Sequence, residues 1–252
     1  MSQKIRIAIF VVAAVVFAYS AGKLIWTFYQ YYSSNRAYEE IRQEALIEDE
    51  AAFDEAGEIT PPQIDFDALQ QINPDIIGWL WIPDSPISYP ILCGSNNQEY
   101  LRATYERKYS VLGSIFQDYR DQRNFEDFNT IIYGHNTRND AMFGSLKKYK
   151  NAEYANAHKD IYILTREASL VYEVFSVYET PATSDTYTIR FESELSFSNY
   201  LKKVASQSIV KIGTEPQAEH IITLSTCTGG DQAMRLVLQA RFIDFIPVLL
   251  TP

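Results

Sequence analysis

The chain has 252 residues, 46% of them hydrophobic and 21% charged, enough for one sizeable core plus accessory segments. Its formal net charge of -10 at pH 7 excludes nucleic acid as the main partner, because phosphate binding needs clustered Lys and Arg. Only two cysteines, Cys93 and Cys227, are present, which excludes a disulfide framework, and the 14% aromatic content favours β structure over a helical bundle.

The first element is apolar. Ile7 to Tyr19 runs without a polar side chain beyond the tyrosine hydroxyl, and apolar character resumes at Leu24 after a short Ser20–Lys23 interruption. Ile5 to Phe28 therefore meets the length of about 20 residues that a membrane-spanning helix requires, with Lys23 placed to snorkel. Trp26, Tyr29, Tyr31 and Tyr32 form an aromatic belt at the far interface, which suits a retained anchor over a cleaved signal peptide. Lys4 and Arg6 precede the span, so residues 1–32 are expected to anchor the chain once, N-terminus in the cytoplasm, with everything after Tyr32 outside.

Residues 33–63 follow as an acidic stalk or linker. Between Arg36 and Glu58 nine acids face two bases, a net -7 within the total of -10. Tyr38, Ile41, Ala45 and Leu46 recur at helical spacing, so this stretch reads either as a helical stalk lifting the rest off the membrane or as a solvated charged linker. Thr60-Pro61-Pro62 ends any helix there.

The globular domain is expected over 64–252. Asp65 caps a short helix through Gln71. Strands are predicted at Ile76–Ile82, Ile87–Leu92, Ser114–Gln117, Thr130–Tyr133, Ile161–Thr165, Leu170–Tyr178, His220–Thr226 and Arg235–Phe245, short runs of Ile, Val, Tyr and Phe bounded by Gly, Pro, Asn and Asp. Helices fit at Asn97–Arg102, Met142–Tyr149 and Phe197–Gln207. Many short strands at modest spacing point to a closed or nearly closed β-barrel with helical insertions.

The chain has three histidines, which narrows the search for acid/base chemistry near neutral pH. His135 follows the apolar strand Thr130–Tyr133 in a glycine-containing loop, where functional side chains are commonly displayed. His158 lies in a polar stretch, and His220 opens the strand that ends at Cys227. Cys227 closes that strand at its mouth before Thr228-Gly229-Gly230-Asp231, a turn accessible to an extended peptide, whereas nothing around Cys93 offers a base. Arg235 opens the next strand, so a hairpin sets it beside Cys227, where a guanidinium with five donors can steady an oxyanion or close the hairpin as a surface arginine. Arg241, farther along that strand, is the bland competitor. The chain order His, Cys, Arg argues against papain-like enzymes, in which Cys precedes His.

Several separated motifs then carry a family resemblance. Thr223-Leu224-Ser225-Thr226-Cys227 followed by Arg235 resembles the sortase signature TLxTC…R, and Ile131-Ile132-Tyr133-Gly134-His135-Asn136 with Ala141–Leu146 resembles the sortase histidine region. Asn73–Pro83, Ile87–Ile91 and Gly113–Arg120 are similar to class B sortases. The resemblance covers roughly Ile64 to the C-terminus. It implies a mainly β fold: an eight-stranded sortase-type barrel with N-terminal helices and a helix between strands six and seven, where Phe197–Gln207 falls. It implies a cysteine transpeptidase that cleaves a C-terminal sorting motif of the Asn-Pro-x-Thr-x type after Thr, forms a thioester on Cys227, and hands the protein to an amine. His135 protonates the leaving amine, Arg235 steadies the oxyanion, and Ser225, Asn97 and Tyr187 contact substrate by the same resemblance. The implied partners are a sorting-motif-bearing surface protein or pilin and, as acceptor, a peptidoglycan precursor or a pilin lysine. No metal or other cofactor is expected, and no class C lid motif is visible. A binding protein without turnover and a plain thiol endopeptidase are the competing classes.

Overall fold

The computed structural model describes residues 3–46, 52–53, 59–228 and 233–248. Eight strands close into a barrel: β1 (Ile76–Trp81), β2 (Ser88–Leu92), β3 (Ile115–Gln117), β4 (Asn129–Tyr133), β5 (Asp160–Leu164), β6 (Ala168–Pro181), β7 (Ile221–Cys227) and β8 (Met234–Pro247). Around the barrel they run β8, β6, β5, β1, β2, β3, β4, β7, and β7 pairs again with β8. All neighbours are antiparallel except β2 with β3 and β4 with β7. Closure removes exposed sheet edges, and the predicted strands match all eight.

The strands line an apolar interior that includes Leu80, Ile91, Ile115, Ile132, Ile163, Val174, Leu224 and Leu238, each almost fully buried. One strand serves two cores. Val174 and Val177 of β6 face this cluster, while Phe175 and Tyr178 face a second one outside the barrel. That second cluster is covered by α4 (Glu194–Ser206), which lies between the sixth and seventh strands as expected. Its buried Phe197, Tyr200, Leu201 and Val204 follow i, i+3, i+4, i+7 spacing, and Ser193 caps it through the Ser196 amide.

The N-terminal segment is one helix, α1, from Gln3 to Ala45. Its apolar first part is exposed, as a helix long and apolar enough to cross a membrane. Its last three turns do not lift the barrel away. Ser34, Tyr38, Ile41 and Ala45 are buried against the domain, with Tyr38 edge-on to Tyr89 and Tyr105. The helical stripe seen in the sequence is a docking face, and its acidic residues point outward. The rest of the expected stalk falls largely on residues 47–51 and 54–58, outside the described residues; Ala52–Phe53 and Ile59–Thr60 form a two-residue antiparallel pairing. α2 (Phe66–Ile72) follows, capped as predicted by Asp65 Oδ1, which accepts from the Ala68 amide at 2.9 Å.

Two predicted helices differ. Asn97–Arg102 is a series of turns, because its carbonyls are drawn to tertiary partners rather than down a helix: Tyr100 O accepts from Ser114 N, Arg102 O from Ser110 N, and Leu101 O from His135. Met142–Tyr149 is a 3-10 helix over Gly144–Lys150, entered through left-handed backbone at Asp140 and Met142. A short helix, α3 (Ala152–Ala157), and a 3-10 turn at Asp185–Tyr187 were not expected.

Candidate active site

The site forms at one rim of the barrel because β4 and β7 are parallel neighbours. Parallel strands end on the same side, so residues just past both C-termini meet although far apart in sequence. Tyr133 pairs with Ser225, and the Gly134 amide donates to Ser225 O at 3.2 Å, which carries the register on to His135 beside Cys227. Asn136 Nδ2 donates to Cys227 O at 2.7 Å and ties the two strand ends together. On the other side β8 is antiparallel, and Arg235 faces Cys227 directly. Cys227, His135 and Arg235 are all half-buried. The expected turn after Thr228 lies outside the described residues.

His135 is held by its Nε2–H, which donates to Leu101 O at 2.6 Å and leaves Nδ1 as the nitrogen available for a thiol. Burial lowers the imidazole pKa; the Leu101 hydrogen bond opposes this, and the nearby Arg102 charge lowers it further. Gly113 lies against this pair with φ +60°, and a Cβ there would sit 2.5 Å from Leu101 O and 2.9 Å from His135 Cδ2. Arg235 Nη1 donates to Met234 O at 3.1 Å.

Ser225 and Tyr187 meet as partners, hydroxyl to hydroxyl at 2.9 Å. Burial raises the Tyr187 pKa; the Ser225 hydrogen bond and the Arg235 charge oppose it. Tyr187 stacks on Tyr133, with centroids 6.2 Å apart and planes 21° apart. Its 3-10 turn is fastened by Asn129, whose Nδ2 donates to Thr186 O and Thr188 O at 2.9 Å each while Oδ1 accepts from Thr223 Oγ1 at 2.6 Å. Asn97 reaches this wall only indirectly. Its Nδ2 donates to Asp118 Oδ2 at 2.9 Å and its Oδ1 accepts from Tyr119 N, while Tyr133 OH donates to the same Asp118 oxygen at 3.0 Å. Asp118 is wholly buried. Burial raises its pKa, but the Arg120 guanidinium and amide, Asn97 and Tyr133 outweigh that and hold it below the usual carboxylate range.

The remaining candidates are structural. His220 stacks on Phe242 at 4.4 Å, and His158 stacks on Tyr154 at 3.9 Å. Arg241 is bound by Glu173. Cys93 is buried, its thiol pKa raised by that burial, and both cysteines are free. Among the described residues no group of three or more His, Cys, Asp or Glu is placed to hold a metal ion. Sequence reasoning missed Asn129, Asn136 and Asp118. Asn136 adjoins the histidine in the chain and was the most findable of the three.

The family model for the sortase domain matches residues 80–243. Sortase B of Listeria monocytogenes is 40% identical over 180 residues, 69% of this chain and 72% of that protein. The crystal structure of sortase B from B. anthracis in complex with AAEK1 superposes with a TM-score of 0.72 at 33% identity, covering 86% of this chain and 99% of that one. The Staphylococcus aureus sortase B–substrate complex gives 0.70 at 26% identity, covering 84% and 97%. The chain belongs to the sortase family. Its relatives here are of class B, and it is a cysteine transpeptidase of that class.

Proposed function

We propose that residues 1–32 anchor this chain in the cell membrane, single-pass with the N-terminus in the cytoplasm, and that the catalytic domain, residues 64–252, works outside. There it cleaves a C-terminal sorting motif of the Asn-Pro-x-Thr-x type after Thr and transfers the protein to an amine of the cell wall precursor. The observation that carries the reading is the juxtaposition at the rim: Cys227 faces Arg235 in register, and Asn136, next to His135, clasps the Cys227 carbonyl. The Staphylococcus aureus sortase B–substrate complex, a structural relative of this chain, supports a substrate-binding role.

Burial favours the neutral form of the His135 imidazole. Reaction begins when the Cys227 proton moves to Nδ1 and Sγ attacks the threonine carbonyl carbon. The carbonyl electrons move onto oxygen, where Arg235 supplies positive charge. Collapse breaks the C–N bond, and the leaving amine takes the proton from His135. The acceptor amine then attacks the thioester, gives a proton to His135 and expels the Cys227 thiolate, which takes that proton back from His135 and restores the starting pair. Tyr187, Ser225 and Tyr133 form one wall of the peptide groove, with Asn97 behind them.

Intact-mass spectrometry of the full chain in detergent, incubated with Asn-Pro-x-Thr-x or Leu-Pro-x-Thr-Gly peptides, tests this. The expected result is a thioester adduct of the peptide's N-terminal fragment on the wild type, absent from Cys227→Ala and discharged by an added amine. No adduct with either peptide from folded protein overturns the proposed substrate class; discharge by water alone makes the chain an endopeptidase.

A further inference from the structure

The height of the catalytic rim above the bilayer is set by α1, because the helix has no free linker between its apolar span and its docked turns. Trp26, Tyr29 and Tyr32 are exposed at the end of the span, and Tyr31 already packs against the barrel domain. One turn on, Ser34 Oγ lies 2.9 Å from Ser110 Oγ. Another turn on, Tyr38 OH donates to Gly113 O at 2.6 Å, and Tyr105 OH donates to Ala37 O at 3.2 Å. Gly113 is the residue at which an added Cβ would meet the His135 ring. Tyr32 to Tyr38 is a rise of only about 9 Å along a helix, and an ordinary tilt of about 20° changes the height of a nearby group by a few Å.

The loop that leads into Ser110 has the composition of a headgroup contact. Arg102, Arg107, Lys108 and Tyr109 are exposed, Tyr109 by 65%, and the loop holds one acid, Glu106, in a chain of net charge -10. Arg107 pairs with the largely buried Asp75 carboxylate and also lies 3.9 Å from Glu99, whereas Lys108 pairs with Glu106 at the surface, where such a pair is weak. An exposed tyrosine among cations next to the docked end of an anchor is the arrangement that suits an interface with anionic lipid.

We infer that the loop Arg102–Tyr109 rests on anionic lipid headgroups and holds the His135 side of the rim within about 15 Å of the bilayer, so that the enzyme acts on donors and acceptors kept at the membrane surface. This rests on the reading of residues 1–32 as an anchor.

The full chain is reconstituted in phosphatidylcholine vesicles with or without phosphatidylglycerol. A fluorophore on Tyr109→Cys, in a Cys227→Ala background where Cys93 is buried, reports energy transfer to a headgroup-labelled lipid. Seven helix-forming residues inserted between Tyr32 and Ser33 add about 10 Å of rise and nearly preserve the docking face, so transfer is expected to fall by about half or more. In the catalytically intact chain the same insertion is expected to slow turnover of a lipid-tethered sorting peptide about tenfold and leave a soluble peptide unaffected. Lys108→Glu is expected to abolish the gain in transfer that phosphatidylglycerol brings, with soluble-peptide turnover unchanged. Transfer or tethered-peptide turnover indifferent to the insertion overturns the inference, as does transfer indifferent to phosphatidylglycerol. Failure of the chain to float with vesicles removes the anchor reading and this inference together, while loss of soluble-peptide adducts in the uninserted chain marks failure of the proposed chemistry instead.

Discussion

Gly113→Ala tests how His135 is held. Gly113 has φ +60°, where a non-glycine residue costs about 1–2 kcal/mol. The new methyl would stand 2.5 Å from Leu101 O, a backbone atom that must move by about 1 Å to restore an ordinary contact. That same oxygen accepts the His135 Nε2–H, and the ring itself would be 2.9 Å away at Cδ2. Loss or lengthening of this hydrogen bond adds about 1 kcal/mol, giving a total of about 2–3 kcal/mol. For a domain of this size that corresponds to a fall in Tm of roughly 4–12 °C. The effect on chemistry should be larger than the effect on stability, because an imidazole displaced by about 1 Å can lose up to about a hundredfold in rate.

The assay is single-turnover acylation followed by intact mass, with a thermal melt of the same sample. Gly213→Ala is the control, since a Cβ there meets nothing within 4 Å, and both readouts should match wild type. If Gly113→Ala loses the expected stability but acylates at the wild-type rate, then the position of His135 does not depend on Leu101, or His135 is not the group that moves the proton. If it keeps both, the close approach itself is wrong.

Three further perturbations address the groove and the core. Tyr187→Phe leaves the buried Ser225 hydroxyl without its partner, so KM for the sorting peptide should rise about three- to tenfold, with kcat little changed, in steady-state kinetics. Asp118→Asn removes the carboxylate shared by Arg120, Asn97 and Tyr133; stability should fall by about 2 kcal/mol in urea melts and KM should rise as the Tyr133–Tyr187 stack loosens, whereas an unchanged KM would separate this cluster from the groove. Asp121 is buried, and burial first, then Asp118 and Asp127, raises its pKa to about 8, against its Ile131 amide bond. The folded state therefore keeps a proton that the unfolded chain releases from about pH 4 upward, so this residue makes stability fall as pH rises through that window, by at most about 1.4 kcal/mol per pH unit, with no further loss above about pH 8. Asp121→Asn should flatten that slope in melts at pH 5 and 8; an identical slope would show that the carboxyl is ionised throughout.

The strands were legible because each is a short run of β-branched and aromatic residues punctuated by turn formers, and a closed barrel was the way to leave so many without edges. Their pairing was not. Nothing local distinguishes the parallel β4–β7 pair from an antiparallel one, since register and direction depend on crossovers that carry whole elements. The hairpin logic did place Arg235 opposite Cys227, because a short connection leaves few alternatives. The helix expected at Asn97–Arg102 failed for a tertiary reason, the drawing away of three successive carbonyls, one of them by His135 itself. The stripe Tyr38, Ile41, Ala45 was visible, but the surface it docks on, which includes Tyr89, Tyr105 and Gly113, was not. Asn129 and Asp118 are single polar residues whose roles exist only through distant partners, so no spacing in the chain could have singled them out, and Asn136 was marked only by adjoining His135.

The same parallel pair explains why this rim suits covalent chemistry. Inside the ladder, backbone donors and acceptors of β4 and β7 satisfy each other, so the strands can be buried without cost in unpaired polar groups. Just past the ladder, the chain is free to display a thiol and an imidazole half-exposed, yet each is clamped by an element other than its own strand. Leu101 O fixes the His135 ring, and Asn136 fixes the Cys227 carbonyl. Asn129, buried at the start of β4, fixes the turn that carries Tyr187. Leu101 belongs to the segment whose Ser110–Ser114 end is held by Ser34 and Tyr38 of α1. The histidine's acceptor is thus supported by the helix that leads out of the apolar span, so detaching α1 should disturb the acid/base group before it disturbs the thiol, whose strand is held by β4 and β8 on both sides.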